Sequence, residues 1–492
     1  MQTDFLVIGS GIAGLNFALE ASKFGRVSVV TKKQIMESST NYAQGGIAAV
    51  LKKTDSFEKH IEDTLKAGSF HNDKDAVRIM VEEGPELIRK LAEIGVPFQK
   101  KSSGEIALTR EGGHSERRIA YCGDLTGQEI EKALVKEIYS KENIEIFENT
   151  FVTDLITKNS KVIGINILDE NNKKIKQIFA KAVILASGGA SQVYYPHTTN
   201  PEISTGDGIA MGILAGCKIK DMEFFQFHPT VLFKKGLPTF LLSESLRGEG
   251  ALLRNFEGKE FIDKYDKRKE LAPRDVVARA IVEEEKKGTV YLDMRHFEKS
   301  SFEKHFKRIY KTLTNYGLNP MKDLIPISPS AHYTIGGIEV DMFGFTGIER
   351  LYAFGEVTCT GVHGANRLGS NSLLEALVFS HRICQKLSKI IENKIETDSQ
   401  NIEIKTTCEL KKLREIRDFL TILMWNNAGI IRNMKDLKKG LSKIEKLEKK
   451  IEQYKCANRL YFETRNMILV SKKVVLAALK RKENLGTHFI EN

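Results

Sequence analysis

Residues Gly9 to Gly14 read Gly-Ser-Gly-Ile-Ala-Gly, and the apolar run Phe5-Leu-Val-Ile8 leads straight into them. A helical pattern follows at Leu15, Ala18 and Leu19, then a second apolar run, Val27-Ser-Val-Val30. This is a complete strand–helix–strand unit. Two strands joined by a crossover helix pair in parallel, so the chain is predicted to open as an α/β, Rossmann-type domain. The glycines sit where a pyrophosphate must approach the backbone: Gly9 for the tight turn, Gly11 for close approach and Gly14 for helix–strand packing. The motif implies a bound dinucleotide and leaves open which one.

The 492 residues are too many for a single core and enough for two or three domains. A hydrophobic content of 41% and a charged content of 28% are those of an ordinary soluble globular protein. A strand begins by Phe5 with no basic and apolar leader before it, and no run reaches the length of a membrane span. A cytoplasmic protein without a membrane partner is expected. Cys122, Cys217, Cys359, Cys384, Cys408 and Cys456 have neither metal nor redox spacing, so no metal site is expected. The net charge of +11 is concentrated at the end of the chain, where residues 401–492 hold 21 Lys and Arg against 11 Asp and Glu. A basic tail can meet nucleic acid or an acidic partner. No aromatic residues interleave these lysines, which favours a solvated helical face and no nucleic acid.

Helices are predicted over 56–68 and 73–95, and short strands over 144–147, 162–168 and 182–185. The charged, glycine-rich stretch 100–127 is too long to be idle. Between Asp221 and Tyr333 the periodicity weakens, with helices expected over 275–287 and 302–313. Strand character then returns at 336–340 and 351–355, and a helix is expected over 371–386. This pattern predicts a nucleotide domain over 1–221 and 334–403, interrupted by an α+β capping domain over 222–333. From Glu409 the chain reads as helical. Leu437, Leu441, Ile444, Leu447, Ile451 and Tyr454 form one apolar face, under three heptads long, which predicts a small helical bundle over 404–492 more readily than a free coiled coil.

Four segments bear on the ligand. The second strand ends Thr31-Lys32, where NAD-binding units usually carry an acidic residue for the ribose. Ser38 to Gly46 is a run of small and polar residues closed by two glycines, suited to lying against a flat ligand. Ser204-Thr-Gly-Asp-Gly208 sets Asp207 at a helix start. Gly355-Glu356 closes a strand, and Gly364 to Glu375 opens a helix whose free N–H groups can hold anions or carbonyls.

These segments, in this order from Phe5 to about Phe379, resemble the FAD flavoproteins of the succinate dehydrogenase and fumarate reductase family, and most closely its aspartate-oxidising branch. A weaker echo lies at Arg481 to His488. The resemblance implies one FAD per chain, held by Ser10, Gly11, Ile12 and Ala13, by Lys32, by Ser39, Thr40, Asn41, Tyr42, Ala43, Gln44, Gly45 and Gly46, and by Asp207, Glu356, Ser372 and Leu373. Membrane-bound relatives attach flavin through a His in the Ser38–Gly46 segment. This chain has Ser39 there and no His in the loop, so the cofactor is expected to be non-covalent.

The resemblance also implies a substrate site built from His228, Arg274, His332 and Arg367. Two arginines suit the two carboxylates of a C4 acid, because each offers a planar bidentate fork. Holding both ends would fix the reacting carbon over flavin N5. Arg274 takes the acid/base place of the family motif. With a pKa above about 12 it needs a carboxylate relay, for which Glu249, Glu244 and Asp275 are candidates. Ser243 replaces a common Thr and keeps the hydroxyl.

Thr109-Arg-Glu-Gly-Gly-His-Ser115 sets Glu111 beside that site. A carboxylate there would repel a plain dicarboxylate and suits a substrate that also brings an ammonium group. The expected reaction is oxidation of L-aspartate to iminoaspartate, with the flavin reoxidised by O2 or fumarate. The family context implies the first step of NAD biosynthesis and a transient contact with quinolinate synthase. The alternatives are a soluble fumarate reductase or succinate dehydrogenase flavoprotein, and a non-catalytic subunit that docks through its basic bundle. Leu485 and Gly369 depart from the family pattern.

Overall fold

The structure is a computed structural model, described here for all residues except Asn401, Lys405, Thr406 and Asn492. Its centre is an eight-stranded sheet. The main path runs Ile144–Phe147, Val27–Val30, Gln2–Ile8, Lys174–Leu185, Lys161–Asp169, Val152–Lys158. The first four of these strands are parallel, as the crossover helix Ile12–Ala21 requires. Of these, Val27–Val30 and Gln2–Ile8 from Phe5 onward are buried on both faces and therefore read as unbroken apolar runs, whereas the edge strand Ile144–Phe147 stays partly exposed.

Lys174–Leu185 is three times longer than the apolar run 182–185 suggested. Its first half alternates, because it pairs antiparallel with Lys161–Asp169 in a sheet with one wet face. Its second half, apart from the partly exposed Lys181, is buried between Gln2–Ile8 and Leu351–Ala353. One strand thus changes from period two to a continuous run as its surroundings change, and only the second half stands out by hydrophobicity.

Residues 225–334 build a separate five-stranded antiparallel sheet, in the order Phe240–Leu241, Phe225–Leu232, Ile325–Thr334, Val290–Asp293, Leu252–Arg254. Its core is Leu246, Leu253, Phe261, Ile281, Leu292 and Leu313 with their neighbours. Phe225–Leu232 is irregular against its partner between Gln226 and Phe227 and between His228 and Val231. Such irregularities re-aim side chains, and these flank Gln226 and His228. The predicted helix 302–313 is two helices, Lys299–His305 and Lys307–Asn315, broken where Phe306 leaves the helical region. The predicted helix 371–386 likewise divides at Ile383, into Asn371–Arg382 and Cys384–Ile390. The stretch 100–127 contributes to a small sheet of Ile47–Ala48, Ile119–Ala120 and Leu108–Thr109.

Three helices, Leu410–Ala428, Met434–Glu452 and Arg459–Lys480, form the C-terminal bundle. Leu437, Ile444, Leu447 and Ile451 are buried as the periodicity predicts. The bundle does not stand free. Trp425 stacks on His197, with ring centroids 3.7 Å apart and planes 1° from parallel. Glu463, Thr464, Asn466 and Ser471 of the last helix are buried polar residues, and Glu463 and Asn466 meet Lys32 and Asp207. No helix among the described residues is long and apolar enough to cross a membrane.

Candidate active site

One cleft runs from the first glycine turn to the antiparallel sheet. At its floor, Gly9 has φ +113°, a backbone region that favours glycine. A Cβ on Gly14 would lie 2.1 Å from the Gly9 carbonyl oxygen. Gly14 therefore packs helix on turn and is not on the cleft wall. Asn41 is also off the wall. All the other expected cofactor residues line it: Gly9 to Ala13, Lys32, Ser39, Thr40, Tyr42 to Gly46, Asp207, Glu356, Ser372 and Leu373. Thr40 Oγ1 accepts a hydrogen bond from Ile12 N at 3.1 Å and so clips the Ser38–Gly46 loop to the helix start.

At one end Lys32 Nζ lies 2.6 Å from Asp207 Oδ2 and 3.1 Å from Glu463 Oε1. Asn466 donates to Asp207 Oδ1 at 2.9 Å, and Arg459 donates to the Lys32 carbonyl at 2.9 Å. Burial pushes the Glu463 carboxyl up, but Lys32, Arg459 and Arg417 outweigh it and hold Glu463 well below the usual carboxylate range. Sequence reasoning missed Glu463 and Asn466, which lie 431 and 259 residues from Lys32 and Asp207. The only signal was a polar pair inside an otherwise amphipathic helix.

At the other end His228, Ser243, Glu244, Arg274, His332, Arg367 and Glu111 line the cleft together. Arg274 starts the helix Arg274–Glu285, and Pro273 just before it suits that helix start. Its Nη1 donates to Gln226 Oε1 at 2.9 Å, and Arg367 Nε donates to the same oxygen at 3.2 Å. Gln226 is held in turn by Asn366 Oδ1 and the Arg367 carbonyl, both at 2.8 Å. Arg367 also lies over the Tyr333 ring and donates to Ser372 Oγ. Burial, aided by the like charge of Arg274, pulls the Arg367 guanidinium down to about 10.

Of the three relay candidates, Glu244 is the one that contacts Arg274. Its Oε2 lies 2.6 Å from Arg274 Nη2, and its Oε1 lies 3.0 Å from Arg247 Nη2. Burial raises this carboxyl, yet Arg274 and Arg247 bring it below its ordinary range. Asp275 is committed elsewhere, to Arg279 and Asn366. Glu249 merely closes the short helix Glu244–Gly248. Ser243 caps the start of that helix and so orients Glu244. Arg247 escaped the sequence reading, because a single Arg in a charged segment carries no local mark.

His332 Nδ1 lies 2.8 Å from Thr199 Oγ1, and its ring is 5.2 Å from that of His228. Burial, aided by nearby arginines, drives both imidazoles well below their ordinary pKa, so both are neutral. They are hydrogen-bonding groups here and add no positive charge.

Glu111 is buried. Its Oε2 accepts from Ser370 Oγ at 2.8 Å. A Cβ on Gly369 would come within 2.8 Å of Glu111 Oε2 and 3.2 Å of both Glu244 Oε2 and Arg274 Nη2. The Gly369 departure is thus the point where the two carboxylates and the arginine converge. Burial raises the Glu111 carboxyl and Glu244 adds to this, with Arg274, Ser370 and Arg367 opposing. His114 secures the loop, its Nε2 lying 3.0 Å from the Gly369 carbonyl. The C-terminal echo is structural. Thr487 N donates to the Ala365 carbonyl at 3.0 Å, Arg279 donates to the Gly486 carbonyl, and Leu485 packs beside Phe224 and Tyr333. Its place is to brace the segment that carries Arg367, a task to which the substituted Leu485 contributes its apolar contact.

A glycine cradle at a strand end that opens into a chamber of buried arginines is the arrangement of an FAD-dependent oxidoreductase. A family model for an FAD binding domain matches residues 4–373, and one for the fumarate reductase flavoprotein C-terminus matches residues 417–492. The chain is 42% identical over 510 residues to an L-aspartate oxidase of Vibrio cholerae, covering 99% of this chain and 95% of that protein. It is 41% identical over 504 residues to one of Acinetobacter baylyi, with coverages of 99% and 92%. Among solved structures, a quinol-fumarate reductase with menaquinol molecules superposes with a TM-score of 0.91 at 31% identity, covering 100% of this chain and 92% of that one. A mutant E. coli quinol fumarate reductase gives a TM-score of 0.90 at 30% identity, with coverages of 100% and 91%. The chain belongs to the FAD flavoprotein family that unites L-aspartate oxidases with fumarate reductase and succinate dehydrogenase flavoproteins.

Proposed function

We propose that this protein oxidises L-aspartate to iminoaspartate, and that one observation carries the reading. A buried carboxylate, Glu111, shares the arginine chamber with Glu244. Two arginines facing one chamber suit a C4 dicarboxylate; a second carboxylate beside them suits a ligand that also carries a cation. The relatives at 41% and 42% identity reported above are named L-aspartate oxidase, which supports the same choice.

FAD, bound in the cleft without a covalent link, would supply the two-electron acceptor for hydride from the substrate Cα, with O2 or fumarate as the terminal oxidant. The protein's own groups do the rest. Arg274 and Arg367, fixed by their common partner Gln226, clamp the substrate carboxylates. Glu111 receives the α-ammonium group. Neutral His228 and His332 hydrogen-bond the ligand without adding charge. In the fumarate direction Arg274 donates a proton to carbon, and Glu244 and Arg247 behind it return one from the interior. The sheet of residues 225–334 closes over the site and excludes water, with hinges near Asp221 and Tyr333. A cytoplasmic location and delivery of iminoaspartate to quinolinate synthase complete the proposal.

Anaerobic mixing of purified holoenzyme with L-aspartate, followed at the flavin absorbance bands, tests the reading. Bleaching with L-aspartate is expected. Bleaching with succinate alone would select the dicarboxylate dehydrogenase instead.

A further inference from the structure

The site must admit two kinds of ligand if it oxidises L-aspartate and is restored by fumarate. L-aspartate brings two carboxylates and an ammonium group; fumarate and succinate bring two carboxylates only. The two classes differ by one elementary charge, inside a chamber where an unbalanced charge is costly. Some group must make up the difference.

The charged groups around the chamber are Arg274 on the helix Arg274–Glu285, Glu244 and Arg247 on the helix Glu244–Gly248, Arg367 on the 364–370 segment and Glu111 on its own loop. Glu244 is fixed as an anion by two guanidiniums, at 2.6 and 3.0 Å. Arg247 is further engaged by the Glu270 carbonyl at 2.5 Å. Arg274 and Arg367 are held on Gln226. His228 and His332 are buried between these cations and stay neutral. Glu356 lies at the cofactor's part of the wall, accepting from Thr334 N at 2.9 Å, and Glu375 is paired with His363 at 3.0 Å.

Glu111 differs from all of these. No salt bridge ties it to a guanidinium among the described residues, and the hydrogen bond it receives comes from a neutral hydroxyl, Ser370. Its Oε1 borders the Ser38–Gly46 loop, where a Cβ on Gly45 would approach within 2.5 Å. Its Oε2 lies beside Gly369, where Glu244 and Arg274 also converge. It faces the ligand with a carboxylate neighbour on one side and arginines beyond, the surroundings in which a carboxyl gains or loses a proton in response to one added charge.

We infer that Glu111 is a ligand-coupled proton carrier: it is ionised when L-aspartate occupies the site and protonated when a dicarboxylate does. The inference rests on the proposed function above. In the first state the Glu111 carboxylate answers the ammonium group. In the second the neutral acid leaves the arginines to the ligand and donates its own O–H. The site thereby exchanges one proton with solvent when one ligand class replaces the other, and the chamber keeps the same total charge.

The test uses holoenzyme photoreduced under anaerobic conditions. L-aspartate and succinate are both already reduced, so neither reacts. Calorimetric titration of each ligand in two buffers of different ionisation enthalpy counts the protons exchanged. L-aspartate should release about one proton more than succinate, and the difference should vanish in Glu111→Gln. Equal proton counts in the parent protein would overturn the inference. So would a difference that persists in Glu111→Gln, since that proton would come from the ligand's own ammonium group.

A second measurement does not need turnover by the variant. Succinate affinity, read from perturbation of the flavin spectrum, should fall about tenfold per pH unit above the Glu111 pKa in the parent and stay flat over that range in Glu111→Gln. A parent without this fall also overturns the inference. Failure of L-aspartate to bleach the oxidised flavin is a separate result, and counts against the proposed function itself.

Discussion

The two ends of the cleft handle buried charge in opposite ways. At the Lys32 end the protein supplies the counter-charges itself, with one ammonium between Asp207 and Glu463, and Arg459 and Arg417 also paired with Glu463. At the Arg274 end two guanidiniums share a neutral amide oxygen. One carboxylate, Glu244, is tied to arginines, while the other, Glu111, is tied to none. A region that only has to hold a cofactor can be closed electrostatically. A region that must take up and release anions keeps charge for the ligand to balance, because a fully paired site would have to be broken at each turnover.

The sharpest way to break this contrast is Arg274→Met. Loss of a buried guanidinium that holds substrate and moves a proton should lower kcat/KM for L-aspartate by about 10³-fold, with flavin content unchanged on the absorbance spectrum. Flavin loss of the same degree would mean that the two ends are not separable. Glu111→Gln should lower kcat/KM for L-aspartate by about 10²-fold and fumarate reduction by far less. Equal losses in the two assays would remove Glu111 from substrate discrimination.

Between the two ends, the Ser38–Gly46 loop rests on Glu131, buried with Ser38 beside it and raised by burial to about 8. The folded protein therefore binds this proton more tightly than the unfolded chain, and stability should fall as pH rises from about 4.5 towards 8. Glu131→Gln should remove that slope and raise stability above pH 8 by about 2 kcal/mol, read from denaturant midpoints across pH. The smallest effect belongs to Glu463→Gln. Lys32 keeps Asp207, so FAD retention should weaken by only about tenfold, measured by flavin release on dilution. A loss of turnover per bound flavin would show that the closed end reaches the chemistry.

Legibility in the sequence followed the range of each interaction. The first strand–helix–strand unit could be read because its signals lie within 30 residues. So could the glycine turn, since Gly9 and Gly14 touch each other. Arg274 and Arg367 were recognisable within their motifs, but their shared partner was not, because Gln226 lies 48 and 141 residues away from them. Glu463 looked like one more charge on a basic helix until the fold set it against Lys32. The helix break at Phe306 and the long strand Lys174–Leu185 were misjudged for the same reason, since packing overrode a local pattern.

By itself the sequence determined the class of domain, the dinucleotide cradle and the kinds of side chain available for the chemistry. These follow from periodicity, from where glycine is required and from what guanidinium, imidazole and carboxyl groups can do. The tertiary structure alone decided that Glu244 and not Asp275 or Glu249 stands behind Arg274, that both histidines are neutral and that Glu111 is buried without an arginine of its own. Those properties depend on distance and desolvation, and both are set only when segments far apart in the chain are brought within a few ångströms of one another.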